Sequence, residues 1–400
     1  MYQHNPKGCW RECFAAALAL FCALGINATV FSVYVPYLKE ALELTHAQSN
    51  NFIVVRNVFT FGSMFIVKAY YDKLEIRLGY CLTILMAAVS VFLYANAQDY
   101  VDLCIAAIVS GLAAGLGGMF PVAILIHRWF HHHEGLALGI CAAATGVAIT
   151  VGTPILTTLI ENHSVGYAMY CEIAFLLVCG ALCFFMLRNY PKGALHHKHE
   201  KHAKRKRMKL TPMCIAAFAI GGLGGCFNYL TIHYSTEGFD PYQISTIVSV
   251  AGMVLTVAKL SLGEIMDLLG AYRTNWVFLP LAISGCLLIG LFSKGMILVI
   301  VAVSLYVIGN AISTVGLTAY AKDLSTPEQY AAVQQQYQTA YQLGTLSLSV
   351  MPGIVATLTG HYGGYYLLIA ILMTGATAII QNTYGRKIRA FNRSVRENYK

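Results

Sequence analysis

Charged side chains are scarce in this chain. They make up 11% of its 400 residues, whereas a soluble domain carries about 25%. A chain with so little polar surface cannot stay in water, so the composition excludes a soluble globular protein. Acids are scarcer than bases, with 18 Asp and Glu against 27 Lys and Arg and a net charge of +9. The patterns of covalent and metal chemistry are missing too. No phosphate-cradling glycine loop, nucleophile–base constellation or metal-ligand spacing occurs, so no enzyme, cofactor or metal is expected. The 12 cysteines form no paired framework. They lie singly in apolar stretches, as at Cys22, Cys141, Cys226 and Cys286, and read as small buried hydrophobes. Cys179 and Cys183, one helical turn apart, read the same way.

What the chain has instead is apolar length, with 57% hydrophobic residues. A helix crosses a bilayer in about 20 apolar residues, and about twelve runs are that long. They cover 13–37, 49–70, 78–97, 102–126, 135–159, 166–187, 212–234, 243–265, 274–293, 295–320, 330–358 and 365–383. The strands of a membrane barrel would alternate over about ten residues each, and nothing here does. The expectation is an all-α integral membrane protein. Its first span opens without a small-residue cleavage site and reads as an uncleaved helix.

The placement of charge orients these spans. Lys and Arg gather at Lys7 and Arg11, Lys73 and Arg77, Arg128, 188–209, Arg273, Lys322 and the tail 386–400. The opposite loops hold Lys39 and Lys294 and otherwise acids: Asp99, Asp102, Glu161, Glu237 and Asp240. Basic loops stay cytoplasmic. Both termini and the middle loop are therefore expected inside a cell (inner) membrane. The basic balance speaks of anionic lipid headgroups, not of nucleic acid. Four segments follow: a six-helix bundle at 1–188, a basic, histidine-rich linker at 189–210, a second six-helix bundle at 211–385 and a tail at 386–400. The linker histidines His196, His197, His199 and His202, like His131, His132 and His133, read as solvated polar residues; weak metal binding or pH sensing is the alternative.

The two bundles carry a repeat. Lys68 precedes Gly79 in VKAYYDKLEIRLG at the spacing by which Lys259 precedes Gly270 in AKLSLGEIMDLLG. The copies lie about half the chain apart, the mark of a duplicated bundle with a site between its halves. Each copy ends in an acidic and basic loop, DKLEIRLG and GEIMDLLGAYR, suited to charge pairs that hold one face closed. Glycine and alanine crowd 110–121 and 135–154, where helix backbones can approach closely.

These loops resemble the conserved loop of the major facilitator superfamily. Asp267 matches the family's acid in the second copy; in the first, Ile76 takes its place beside Glu75. RWFHHHEGLALGICAAATGVA (128–148) resembles the basic-aromatic loop and fifth helix of the monocarboxylate transporters and oxalate:formate antiporters. FSVYVPYLKEALELTHAQSN (31–50) resembles their first helix. The resemblance implies the major facilitator fold, with two pseudo-symmetric bundles and a substrate-binding cation at Lys259, where the family usually carries Arg. It also marks departures. The eleventh helix, QQQYQTAYQLGTLSLSVMPG (334–353), has no cation to match that of the oxalate carriers. Tyr37 and Leu255 stand where animal monocarboxylate transporters place a lysine and an acid of their proton relay.

A charge inside lipid costs a few kcal/mol or more, so each intramembrane ion needs a role. Lys259 is either a substrate anchor or a snorkelling or paired residue, with Glu264 or Asp267 as partner. Lys68, beside Asp72, reads more as snorkelling. Arg56 either draws anions inward or pairs with Glu172. Tyr34, Tyr37, Tyr229 and Tyr341, with Gln338, Gln342 and Asn310, are candidate hydrogen-bonding groups of the site, whereas Asn27 and Asn228 read as interhelical bonds. The leading expectation is a monomeric secondary carrier of small organic anions, mono- or short dicarboxylates, working by exchange or uniport. A carrier of neutral or cationic solutes such as sugars or drugs, and a non-transporting receptor, are the alternatives.

Overall fold

A computed structural model describes residues 8–130, 133–189, 211–292, 294–326 and 329–398. His131, His132 and the linker histidines lie outside these, so the metal and pH expectations for them have no structural counterpart here. Among the described residues every regular element is helical.

The 12 helices long and apolar enough to cross a membrane are Cys9–Ala41, Asn51–Lys73, Ile76–Ala95, Tyr100–Trp129, Glu134–Asn162, Val165–Met186, Pro212–Thr236, Pro241–Leu269, Ala271–Leu291, Met296–Leu324, Ala332–Thr359 and Gly363–Lys387. They are called the first to twelfth spans. Each overlaps one apolar run read from the sequence. Their lipid-facing sides carry exposed Phe14, Phe65, Phe185, Ile297 and Leu358. In water such a belt would drive association; in a bilayer it is solvated by acyl chains.

Helix starts at the acidic end are built by local chemistry. Thr45 and Gln48 form a reciprocal capping box at the second span, and Asp240 and Gln243 form one at the eighth. Asp99 and Ser164 cap the fourth and sixth. Each cap satisfies an otherwise orphaned N–H and contributes about 1 kcal/mol. The two capping boxes occupy equivalent places in the two halves.

Packing repeats in the same way. The second span lies on the fourth and the eighth on the tenth; the third on the sixth and the ninth on the twelfth; the first on the fifth and the seventh on the eleventh. Each half is thus a six-helix bundle related to the other. The halves meet along two seams, the fifth span against the eighth and the second against the eleventh.

Four equivalent spans are irregular. The first passes through a wide π-helical stretch, Phe21–Thr29, and a tight turn, Val30–Val33, before resuming. Pro36 lacks the N–H that would bond the carbonyl of Ser32, and its ring crowds that carbonyl, which favours the tight turn just before the helix resumes at Tyr34. The seventh span tightens at Cys226–Tyr229 after a Gly-Gly pair. The tenth tightens at Ala311–Ser313, and the fourth breaks between Leu116 and Met119. Such breaks in transmembrane helices line polar cavities.

Candidate functional site

The fifth–eighth seam is made of glycines. A side-chain carbon at Gly263 would lie 2.7 Å from the Gly135 carbonyl, one at Gly139 3.1 Å from the Lys259 carbonyl, and one at Gly252 2.8 Å from the Thr150 nitrogen. Because these carbons are missing, the helices approach closely over most of their length. Lys259 sits within that seam and is 4% exposed. Its Nζ donates to Thr145 Oγ1 at 2.7 Å and to the Ala142 carbonyl at 3.3 Å, both on the fifth span of the other half. Thr145 passes its own proton to the Ala142 carbonyl at 2.9 Å, which leaves its oxygen free to accept from the ammonium. An ammonium has three donors, and the third has no acceptor among the described residues. The pairing with Glu264 or Asp267 is not formed: both acids are exposed, and neither reaches Lys259.

The second buried cation belongs to the other half. Arg56, 5% exposed on the second span, donates to the Ala28 carbonyl at 3.0 Å. Its guanidinium lies 5.9 Å from the Phe31 ring centroid. The expected partner, Glu172, is engaged elsewhere: Tyr34 donates to its Oε2 at 2.8 Å. Its Oε1 is buried without a partner. Among the described residues Arg56 and Lys259 therefore have no carboxylate within ion-pair distance.

The remaining candidates divide by what holds them. Tyr37 donates to Glu161 at 2.6 Å, and Tyr229 donates to the Ser349 carbonyl at 2.9 Å. The hydroxyl hydrogens of Tyr34, Tyr37 and Tyr229 are thus committed within their own halves. Tyr341 packs its ring against Gly224 of the seventh span, the place where a larger residue would clash. Gln338 is buried and Gln342 half-buried, and neither amide bonds another described residue. Asn310, at the break of the tenth span, has a buried Oδ1 without a partner. Gln338, Gln342 and Asn310 thus keep hydrogen-bonding capacity that no described residue uses. Asn27 does not. It donates to the Ser110 and Ala23 carbonyls and accepts from Ser90 and Ser110, closing a brace inside its own half.

Sequence reasoning passed over a polar cluster at the basic end. Glu134 opens the fifth span and accepts from His127 Nδ1 at 3.0 Å. Its other oxygen lies 3.5 Å from Lys322 Nζ on the tenth span, so the contact joins the two halves. The His127 ring stacks 5.1 Å from Tyr330. Asp267 lines the adjoining cleft, whose volume of about 30 Å³ holds about one water. On the second seam Gln335 donates to the Met64 carbonyl at 3.4 Å. The available signal was an acid opening a glycine-rich helix directly after a basic loop. Lys68 and Asp72 are exposed and form no ion pair among the described residues.

Two symmetric bundles, broken helices between them and buried polar groups along the seam define a membrane carrier. The chain belongs to the Major Facilitator Superfamily, whose signature matches residues 16–349. It is similar to an MFS-type transporter of Aspergillus fumigatus, at 23% identity over 73% of this chain and 71% of that protein. Its fold is that of the human organic anion transporter MFSD10 (TETRAN), with a TM-score of 0.71 at 13% identity over 93% of this chain and 99% of that one. The protein is an MFS transporter, multi-pass in its membrane.

Proposed function

We propose that this carrier moves small organic anions, mono- or short dicarboxylates, by alternating access around Lys259. The observation that carries the reading is a buried ammonium on the seam between the halves, with no carboxylate partner and one donor unused. A cation taken from water without a counter-charge costs several kcal/mol. An anion relieves that cost wherever it binds Lys259, so the loaded carrier closes more readily than the empty one. This favours exchange, or uniport with a slow empty return. Gln338, Gln342, Asn310 and the tyrosine oxygens would orient the solute. The organic anion carried by MFSD10 is in keeping with this reading. The amides also suit a neutral polar solute, which is the competing reading.

Glu134, Lys322 and Asp267 would hold the basic end closed while the other end is open. By the distribution of Lys and Arg, that basic end faces the cytoplasm with both termini. The test is counterflow in proteoliposomes with acetate, lactate, oxalate and succinate against glucose and tetraethylammonium. Trans-stimulated uptake of a carboxylate is expected. Uptake of glucose or tetraethylammonium without any carboxylate would overturn the reading.

A further inference from the structure

We infer that Arg56 forms an anion site of its own, apart from Lys259, which takes a small monoanion: an inorganic halide or the carboxylate of a solute. The inference stands on Arg56 and its surroundings and does not rest on the carboxylate reading of Lys259. The two cations lie at different levels. Arg56 precedes Lys68 by twelve residues on one regular helix, His46–Lys73. It therefore sits about 18 Å nearer the acidic end than Lys68 does. Lys68 is the counterpart of Lys259 in the repeat, so the site at Arg56 is separate from the one at Lys259.

Arg56 keeps its charge wherever it is buried. Unlike an ammonium, a guanidinium cannot shed its proton to escape low dielectric. A buried charge needs a partner or a counter-charge. Arg56 is 5% exposed, yet among the described residues no acid lies within ion-pair distance of it. Glu172, the acid expected beside it, is turned to Tyr34. A guanidinium has five N–H donors. Among the described residues one acceptor meets them, the Ala28 carbonyl at 3.0 Å from Nη1.

The walls of the site are aromatic and add a donor. The guanidinium lies 5.9 Å from the Phe31 ring centroid. Phe31 packs on Tyr94 with centroids 4.3 Å apart and on Phe52 at 6.4 Å. Tyr94 is 2% exposed, its hydroxyl has no partner, and it lies within the electrostatic range of Arg56. The guanidinium and the phenol thus offer N–H and O–H donors, with no negative acceptor from the protein. That is the chemistry that selects a small anion, because hydrogen bonds to an ion are the strong ones. Tyr229 of the seventh span is also in range, and its hydroxyl donates to the Ser349 carbonyl of the eleventh. The site therefore lies toward the opposite half, at the second–eleventh seam. An anion bound there offsets the cost of burying Arg56, so it favours the arrangement in which the halves meet at the acidic end.

The experiment is thermal melting of purified Lys259→Gln in sodium chloride, bromide or acetate, with sodium HEPES holding the ionic strength constant. This variant lacks the other unpaired cation, so the shift reports on Arg56. At least one salt should raise the melting temperature saturably, by about 2 °C or more. Adding Arg56→Gln should abolish the rise, and Arg56→Lys should keep part of it. Tyr94→Phe should weaken the apparent affinity about tenfold, as expected for one hydrogen bond to an ion. A rise with chloride and bromide assigns an inorganic halide; a rise with acetate alone assigns the carboxylate of a solute. No rise with any of the three salts overturns the inference, and so does a rise that survives Arg56→Gln. Should Arg56→Gln fail to fold, Tyr94→Phe decides, and an unchanged affinity there overturns the inference.

Discussion

Replacing Gly252 by alanine tests whether the fifth–eighth seam must close. The new carbon would meet the Thr150 nitrogen at 2.8 Å and Ile149 Cγ2 at 2.8 Å, whereas ordinary contact begins at 3.4 Å. The helices must therefore part by about 0.6 Å. The backbone nitrogen cannot swing aside as a side chain tip would, so the strain falls on the seam. Overpacking of this kind costs about 1–3 kcal/mol. Alanine regains about 1 kcal/mol over glycine in a helix. Gly62 supplies the control, because a carbon there meets nothing within 4 Å. The two variants should differ by about 1–3 kcal/mol, which is roughly 5- to 150-fold in the population of the closed arrangement. The assay is thermal melting of both purified variants beside their exchange rates in proteoliposomes. Gly252→Ala should melt lower and exchange more slowly than Gly62→Ala. The double variant with Gly146→Ala should lose less than the two single losses added together, because a carbon added at Gly146 would lie 2.8 Å from the Gly252 carbonyl and one displacement accommodates both. Equal melting and equal exchange in Gly252→Ala and Gly62→Ala would refute the closed seam as an obligatory step.

Three further outcomes follow from the same geometry. Lys259→Gln should abolish carboxylate exchange and raise the melting temperature, since it removes an uncompensated charge that costs several kcal/mol, while Lys259→Arg keeps part of the exchange; wild-type exchange in Lys259→Gln would reduce the ammonium to a bolt across the seam. Glu134→Gln weakens a latch whose Lys322 side chain is 54% exposed, so the loss is about 1 kcal/mol or less, and a cysteine at Thr318 in the adjoining cleft should label up to about fivefold faster; unchanged labelling would show that the ion pair does not hold the basic end. Glu172→Gln should exchange substrate as the wild type does, because an amide oxygen can still accept from Tyr34; substrate-driven lumenal acidification that persists with an ionophore control and vanishes in this variant would establish proton symport instead.

Length and hydropathy made the twelve spans legible, because lipid demands long apolar helices and leaves few other choices. The duplicated Lys-to-Gly spacing likewise pointed to paired halves, and the second–fourth and eighth–tenth contacts recur accordingly. The partners of buried ions were not legible. The sixth span is apolar on all sides, so its sequence does not tell which way Glu172 points, and a shared depth with Arg56 did not make a pair. The Glu134–Lys322 contact was hidden for another reason. It joins residues of different halves, and no spacing within either copy encodes how the copies dock.

The same docking explains why one repeated lysine is buried and the other is not. Lys68 and Lys259 occupy equivalent spans at the same distance from a glycine, yet the first is exposed and the second 4% exposed. The difference lies in the helix opposite. Facing the eighth span, the fifth offers Gly135, Gly139 and Gly146, so its backbone closes over the ammonium and Thr145 comes within 2.7 Å of it. Facing the second span, the eleventh brings long amides instead, with Gln335 reaching across to the Met64 carbonyl. Lys68, one turn further along the second span, stays exposed. The duplicated lysine is thus buried only on the seam that glycines allow to close. The other seam carries glutamines on the eleventh span, with Gln334 and Gln338 buried.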